Sequence, residues 1–180
     1  LTVKTRTTLA AYHSYNYLLA RENLTDHLSL NEKKDKIRQR LWKIRAKKVI
    51  IATGAMERPL IFNNNDRPGI ILSSSIKKYI DYYGVKCGQK ISLFTNNDSA
   101  YETAISLNNN GVTVNSIIDI RDKSNSSIVK QAEELGIKIH WKHTVVNTNG
   151  YKRINSIELM KLSDDGTSVV ENKLKEECDC

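Results

Sequence analysis

Residues 90–120 read KISLFTNNDSAYETAISLNNNGVTVNSIIDI, and the change of period along this stretch decides the fold. Residues 91–95 have the short apolar run of a strand, residues 99–109 the pattern of a helix, and residues 112–118 that of a strand again. The alternation continues with a helix over 126–135 and a strand over 137–140. A β-α-β-α-β order requires right-handed crossovers and a parallel sheet, so the class is α/β with a Rossmann-like unit. Beyond it, residues 144–148, 154–161 and 169–175 alternate around turns at Asn149-Gly150 and Asp164-Asp165-Gly166, which predicts an appended antiparallel β-meander.

On the other side, Ile76, Ile80 and Tyr83 recur at helical spacing between a serine cluster at 73–75 and Gly84. These are the entrance and exit signals of a helix. Before it, residues 48–53 (KVIIAT) form a short continuous apolar run ended by Gly54, the pattern of a central parallel strand covered on both faces. Residues 2–8, 17–24 and 40–46 read as a first β-meander, with a turn at Ser14-Tyr15-Asn16 and a polar excursion over 29–36. The domain reading is therefore 1–88 for part of a first domain, 89–177 for the second, Rossmann-like domain, and 178–180 for the start of a return to the first.

Charge and composition limit the possibilities. Among the 180 residues, 39% are hydrophobic and 27% charged, enough apolar content for a buried core. No apolar run approaches the roughly 20 residues of a membrane-spanning helix, and no secretory signal opens the chain. A cytoplasmic location without membrane association is the expectation. The sequence begins at Leu1 in a strand-like pattern, suggesting a piece of a longer protein. Lys and Arg outnumber Asp and Glu by 28 to 20, a net charge of +8, which suits an anionic ligand or nucleic acid. The densest basic run, residues 32–48, alternates with Trp42, Ile44 and Val49 like a solvated strand face. No DNA or RNA module accompanies it, so no nucleic-acid partner is expected.

Cys87, Cys178 and Cys180 lack the spacing of a redox or zinc pair, and reduced thiols are expected. His13, His27, His140 and His143 show no metal-binding spacing, and no serine or cysteine nucleophile has an evident base. No catalytic residue can be named. For a ligand, Gly54 is the strongest candidate read from the residues alone: it stands at the carboxyl end of an expected strand, where backbone can approach a phosphate or ribose. Terminating the strand is its structural alternative. The turn Thr95-Asn96-Asn97-Asp98-Ser99 occupies the place of a phosphate loop but carries no glycine, and its Asp98 carboxylate would repel a pyrophosphate. Ser99 and Glu102 have the spacing of a capping box, which explains the turn structurally. No G-x-G-x-x-G spacing occurs anywhere in the chain.

Three blocks carry a resemblance: RLWKIRAKK at 40–48, ATGAMERPLIFNNNDRPGI at 52–70 and LFTNNDSAYETA at 93–104. With them the chain resembles the alpha subunits of heterotetrameric sarcosine oxidases, collinearly from about Leu1 to Lys161. Alpha subunits of amino-acid and opine dehydrogenases share the general plan but match the asparagine-rich loops less well. The resemblance implies a two-domain FAD/NAD-type fold similar to pyridine nucleotide and flavin disulfide oxidoreductases, with NAD bound by the full subunit. It implies a complex with beta, gamma and delta subunits that oxidises sarcosine to glycine, with FAD, FMN and tetrahydrofolate as its further cofactors. The family's glycine-rich loop would precede Leu1. By the same resemblance Thr7, Thr8, Thr53, Gly54 and Ala55 match positions lining the dinucleotide, and Arg58 is a weaker candidate for phosphate contact. The competing class is a non-catalytic assembly or nucleic-acid-binding module that uses the basic surface.

Overall fold

Strands β4 (Lys90–Thr95), β5 (Thr113–Asp119) and β6 (Ile139–Trp141) form a parallel sheet in sequence order, with Leu93 opposite Ile117 and Ile118 opposite His140. The computed structural model describes residues 1–170 and 173–180. Helices α3 (Ser99–Asn109) and α4 (Ser127–Glu134) make the two crossovers, so the β-α-β-α-β order expected from the sequence is present. Helix α2 (Ser73–Tyr83) packs against α3. Its Ile76 and Ile80 enter a core with Ile91, Leu93, Tyr101, Ala104, Leu107, Ile117 and Val129, because the i, i+4 spacing puts both isoleucines on one face. Tyr83, expected on the same apolar stripe, is exposed. One turn past Ile80 the helix has ended: Gly84 has φ +64°, its N–H bonds the carbonyl of Ile80, and the Val85 N–H bonds that of Tyr79.

The appended meander consists of β7 (His143–Gly150), β8 (Ile154–Lys161) and β9 (Leu174–Glu177), antiparallel and in sequence order. The third strand, expected over 169–175, is represented by an isolated Leu162–Val169 bridge and by β9, and residues 171–172 lie outside the described residues. Gly150 has φ +138°, and a Cβ there would run into the Arg153 backbone, so this turn excludes a side chain. A second core of Ile118, Val145, Ile154, Ile157, Leu159 and Cys178 joins the meander to the parallel sheet.

A polar network also fastens β9 to that sheet. Glu176 accepts hydrogen bonds from Ser116 of β5 at 2.5 Å and from Lys138 at 3.0 Å, and its Oε1 lies 2.6 Å from Nε2 of His140 on β6. Burial alone would push this carboxyl up. The bonds from His140, Ser116 and Lys138 together outweigh burial and hold it at about 2. The chain then runs beside β4, where the Asp179 N–H bonds the carbonyl of Lys90 and the Ser92 N–H bonds that of Cys180. The Asp179 carboxylate accepts the amides of Gln89 and Lys90.

Contacts divide the chain into two units, Leu1–Ala55 and Met56–Cys180. The first contains an antiparallel meander of β1 (Thr7–His13), β2 (Tyr17–Asn23) and β3 (Gln39–Arg45), as expected, with the short helix α1 (Leu30–Lys33) in the polar excursion. Residues 56–88, assigned by the sequence reading to the first domain, make their contacts within the second unit: Phe62 packs edge-on against Phe94, and α2 lies on α3.

The expected buried strand over 48–53 is not formed. Residues 48–55 carry no secondary structure, and Ile50 and Ile51 are 91% and 68% exposed. A parallel strand acquires its ladder and its burial from flanking strands, and no strand among the described residues pairs with this run.

Candidate functional site

Thr7 and Thr8 open β1, opposite Glu22 and Arg21 of β2. The Thr7 hydroxyl donates to the Thr5 carbonyl at 3.0 Å, while Thr8 is exposed. At the other end of the meander, the Ala46 N–H bonds the carbonyl of Asn16, and Asn16 Nδ2 donates to the Lys47 carbonyl at 3.2 Å. These two bonds fix where the chain leaves β3 and starts toward Thr53, Gly54 and Ala55. All three of those residues are exposed. Gly54 has φ +75°, and no atom lies within 4 Å of the position a Cβ would occupy. The turn thus offers left-handed, uncovered backbone, the geometry that permits close approach by a phosphate or ribose. Among the described residues no hydrogen bond joins Thr7 or Thr8 to residues 53–55.

Arg58 is exposed and belongs to the other unit. Its neighbour Glu57 has a role that the sequence reading missed: the carboxylate accepts the amides of Ser73 at 3.1 Å and Ser74 at 2.7 Å. It satisfies the first turn of α2 in place of the serine cluster expected to cap it, for Leu72 is the N-cap and provides no side-chain bond. The signal was a glutamate sixteen residues upstream, a separation that no local capping pattern covers.

The β4–α3 turn stands at the carboxyl end of the parallel sheet, the general ligand position of such folds. Asn97 Oδ1 accepts both the Ser99 amide, at 2.9 Å, and the Ser99 hydroxyl, at 2.6 Å. The Asn97 amide in turn bonds Thr95 Oγ1. The expected Ser99–Glu102 capping box is therefore replaced by Asn97, and Glu102 reaches Lys77 instead, at 3.8 Å. At the end of β5, Asp119 is fully buried and accepts the Tyr101 hydroxyl at 2.8 Å and the Arg121 guanidinium at 2.7–3.2 Å. The same guanidinium forms an ion pair with Asp98 at 2.8 Å. Arg121 holds the Asp98 carboxyl below its ordinary range, and burial followed by the Asp119 bond pushes the Tyr101 phenol up.

Cys87, Cys178 and Cys180 are free thiols. Burial raises Cys178 to about 12 and Cys180 to about 11, and the Cys87 thiol also lies above its ordinary value. These groups are protonated and poorly nucleophilic near neutral pH. Among the described residues no group of three or more His, Cys, Asp or Glu side chains is placed to hold a metal ion, and no helix is long and apolar enough to cross a membrane.

No family model matches the chain. It is 41% identical over 143 residues to sarcosine oxidase subunit alpha of Corynebacterium sp. strain U-96, a stretch that is 79% of this chain and 15% of that protein. The subunit alpha of Rhizobium meliloti strain 1021 is 34% identical over 163 residues, 87% of this chain and 15% of the relative. The resemblance drawn from residues 40–48, 52–70 and 93–104 is thus borne out, and the chain spans about one seventh of the length of these relatives. Among solved structures, a thioredoxin reductase from T. acidophilum matches with TM-score 0.54 and 20% identity over 76% of this chain and 43% of that one. An FAD-dependent pyridine nucleotide-disulphide oxidoreductase from Desulfovibrio vulgaris matches with TM-score 0.53 and 14% identity, over 97% of this chain and 41% of the other. At these identities the likeness is one of fold, and it agrees with the α/β class.

Proposed function

We propose that this chain is part of the NAD-binding alpha subunit of a sarcosine oxidase-type oxidoreductase. The collinear match at 34–41% identity to three sarcosine oxidase alpha subunits carries this reading. In the longer protein we assign residues 1–88 to the first, dinucleotide-binding domain, with residues 56–88 the part of it that packs on the second, residues 89–177 to the second, and residues 178–180 to the start of the return to the first. The complete complex, with its beta, gamma and delta subunits, oxidises the N-methyl group of sarcosine. Its overall balance is sarcosine, oxygen and tetrahydrofolate to glycine, hydrogen peroxide and methylene-tetrahydrofolate. FAD and FMN supply the redox chemistry when bound in the assembled complex.

Within this chain the role is binding. The Thr53-Gly54-Ala55 turn presents backbone without a covering side chain, which supports its contacting the dinucleotide. Thr7 and Thr8 offer a β-strand end with one exposed hydroxyl, and Arg58 offers an exposed positive charge. The pyrophosphate of a dinucleotide is held chiefly by amides of a glycine-rich turn and the helix that follows it. This chain has no such sequence, so alone it binds NAD weakly, and because the flavin that accepts the hydride belongs to another chain of the complex, alone it oxidises no sarcosine. Calorimetric titration with NAD and a peroxide-release assay on sarcosine test the reading in two forms, the 180-residue chain and the longer alpha subunit assembled with its partners. Micromolar affinity in the short chain, turnover without added subunits, or an assembled complex that neither binds NAD nor oxidises sarcosine would each refute it.

A further inference from the structure

We propose that the parallel β-α-β module has closed its own nucleotide cradle, with Asp98 standing where a bound pyrophosphate would and Arg121 serving as its permanent counter-ion. In doubly wound folds a dinucleotide needs three things at the carboxyl end of the first two strands. These are free amides at the first helix, a side-chain-free turn before it, and an acidic or basic residue at the end of the second strand to meet the ribose or its phosphate. Here the Ser99 and Tyr101 amides are occupied, the turn carries side chains, and the acid is buried. The Ser99 amide at the start of α3 is taken by Asn97, and the Tyr101 amide by the Asp98 carbonyl. The turn carries Asn96, Asn97 and Asp98 in place of glycines.

The acid at the end of β5 is Asp119, with no exposed surface to offer a ribose. Its oxygens are spent on Tyr101 and on two guanidinium nitrogens of Arg121. Arg121 would be the anchor for a phosphate, yet it bridges Asp98 and Asp119. A dinucleotide would have to displace one carboxylate from Arg121, expose the other, and bring its own charge beside Asp98. Like charges brought together in a partly buried site oppose binding. The module is thereby left as a scaffold on which the meander β7–β9 is mounted.

The test is heteronuclear NMR of the 15N-labelled 180-residue chain, titrated separately with inorganic pyrophosphate and with NAD against a sodium chloride control. The amides of residues 96–101 are expected to stay within the salt control. In an Asn97→Gly/Asp98→Gly variant the same amides are expected to shift saturably with pyrophosphate, since Arg121 and the α3 amides are released together. Asp98→Asn, which keeps the side-chain volume and the Asn97 cap, gives a smaller shift in the same direction and stands in if the double variant does not fold. Saturable movement of residues 96–101 in the unaltered chain overturns the proposal. So does a folded variant that stays unresponsive, because the ion pair would not then be what closes the cradle. Residues 7, 8 and 53–55 report separately on NAD contact at the other unit, so failure there leaves this inference distinguishable.

Discussion

Replacing Glu176 with glutamine removes the charge that fastens β9 to the parallel sheet while keeping the side-chain shape. In the folded chain this carboxyl lies at about 2 against an ordinary 4.5. That difference corresponds to about 3 kcal/mol of stability at neutral pH. Only 11% of the side chain is exposed, so solvent screening removes little of it. The groups facing it are the His140 ring, the Ser116 hydroxyl and the Lys138 ammonium, all donors toward a carboxylate. A glutamine can still accept one bond, but it turns an N–H toward these donors. The expected loss for Glu176→Gln at pH 7 is about 2–3 kcal/mol, or a fall in Tm of roughly 4–12 °C.

The sign with pH follows from the depressed value. The folded-state carboxyl is the stronger acid, so its contribution is complete above 4.5 and is lost as pH falls toward 2. By pH 3 about 2 of the 3 kcal/mol is gone. Urea denaturation of both proteins at pH 7 and pH 3 measures this, because other carboxylates titrate alike in the two and cancel in the difference. The gap between them should narrow by more than half at pH 3. A gap under about 0.5 kcal/mol at pH 7, or one that does not narrow, would refute the reasoning.

Three further outcomes are expected. Tyr101→Phe removes the hydroxyl bonded to buried Asp119 and should cost about 1.5–3 kcal/mol in urea denaturation; a neutral result would mean that Arg121 alone satisfies that carboxylate. Leu159→Ala empties a fully buried position between the meander and the parallel sheet and should cost about 2–5 kcal/mol, with amide exchange of β7 and β8 accelerated more than that of α3. Cys178 and Cys180, raised to about 12 and 11 by burial, should resist iodoacetamide at pH 8 until the chain is denatured, which mass spectrometry of the modified peptides checks.

The sequence by itself determined what local pattern can encode. The periods across residues 90–140 specified two helices between three parallel strands, since a helix buries every third or fourth residue and a short apolar run suits a covered strand. Gly84 marked the end of α2 because its left-handed conformation suits glycine. The absence of glycine between Thr95 and Ser99 showed that the usual phosphate turn is missing. The blocks at 52–70 and 93–104 were specific enough to point to the relatives.

Tertiary structure decided the rest, because those features join residues with no fixed spacing. Glu57 satisfies an amide sixteen residues away, Asp98 meets Arg121 across the ends of two strands, and Glu176 reaches His140 thirty-six residues back. The run at 48–53 reads as a buried strand from composition alone, yet lies exposed, since a parallel strand is made by the neighbours that supply its ladder and cover its faces. Hydrophobic pattern states what a segment would bury; only the assembled chain supplies something to bury it against.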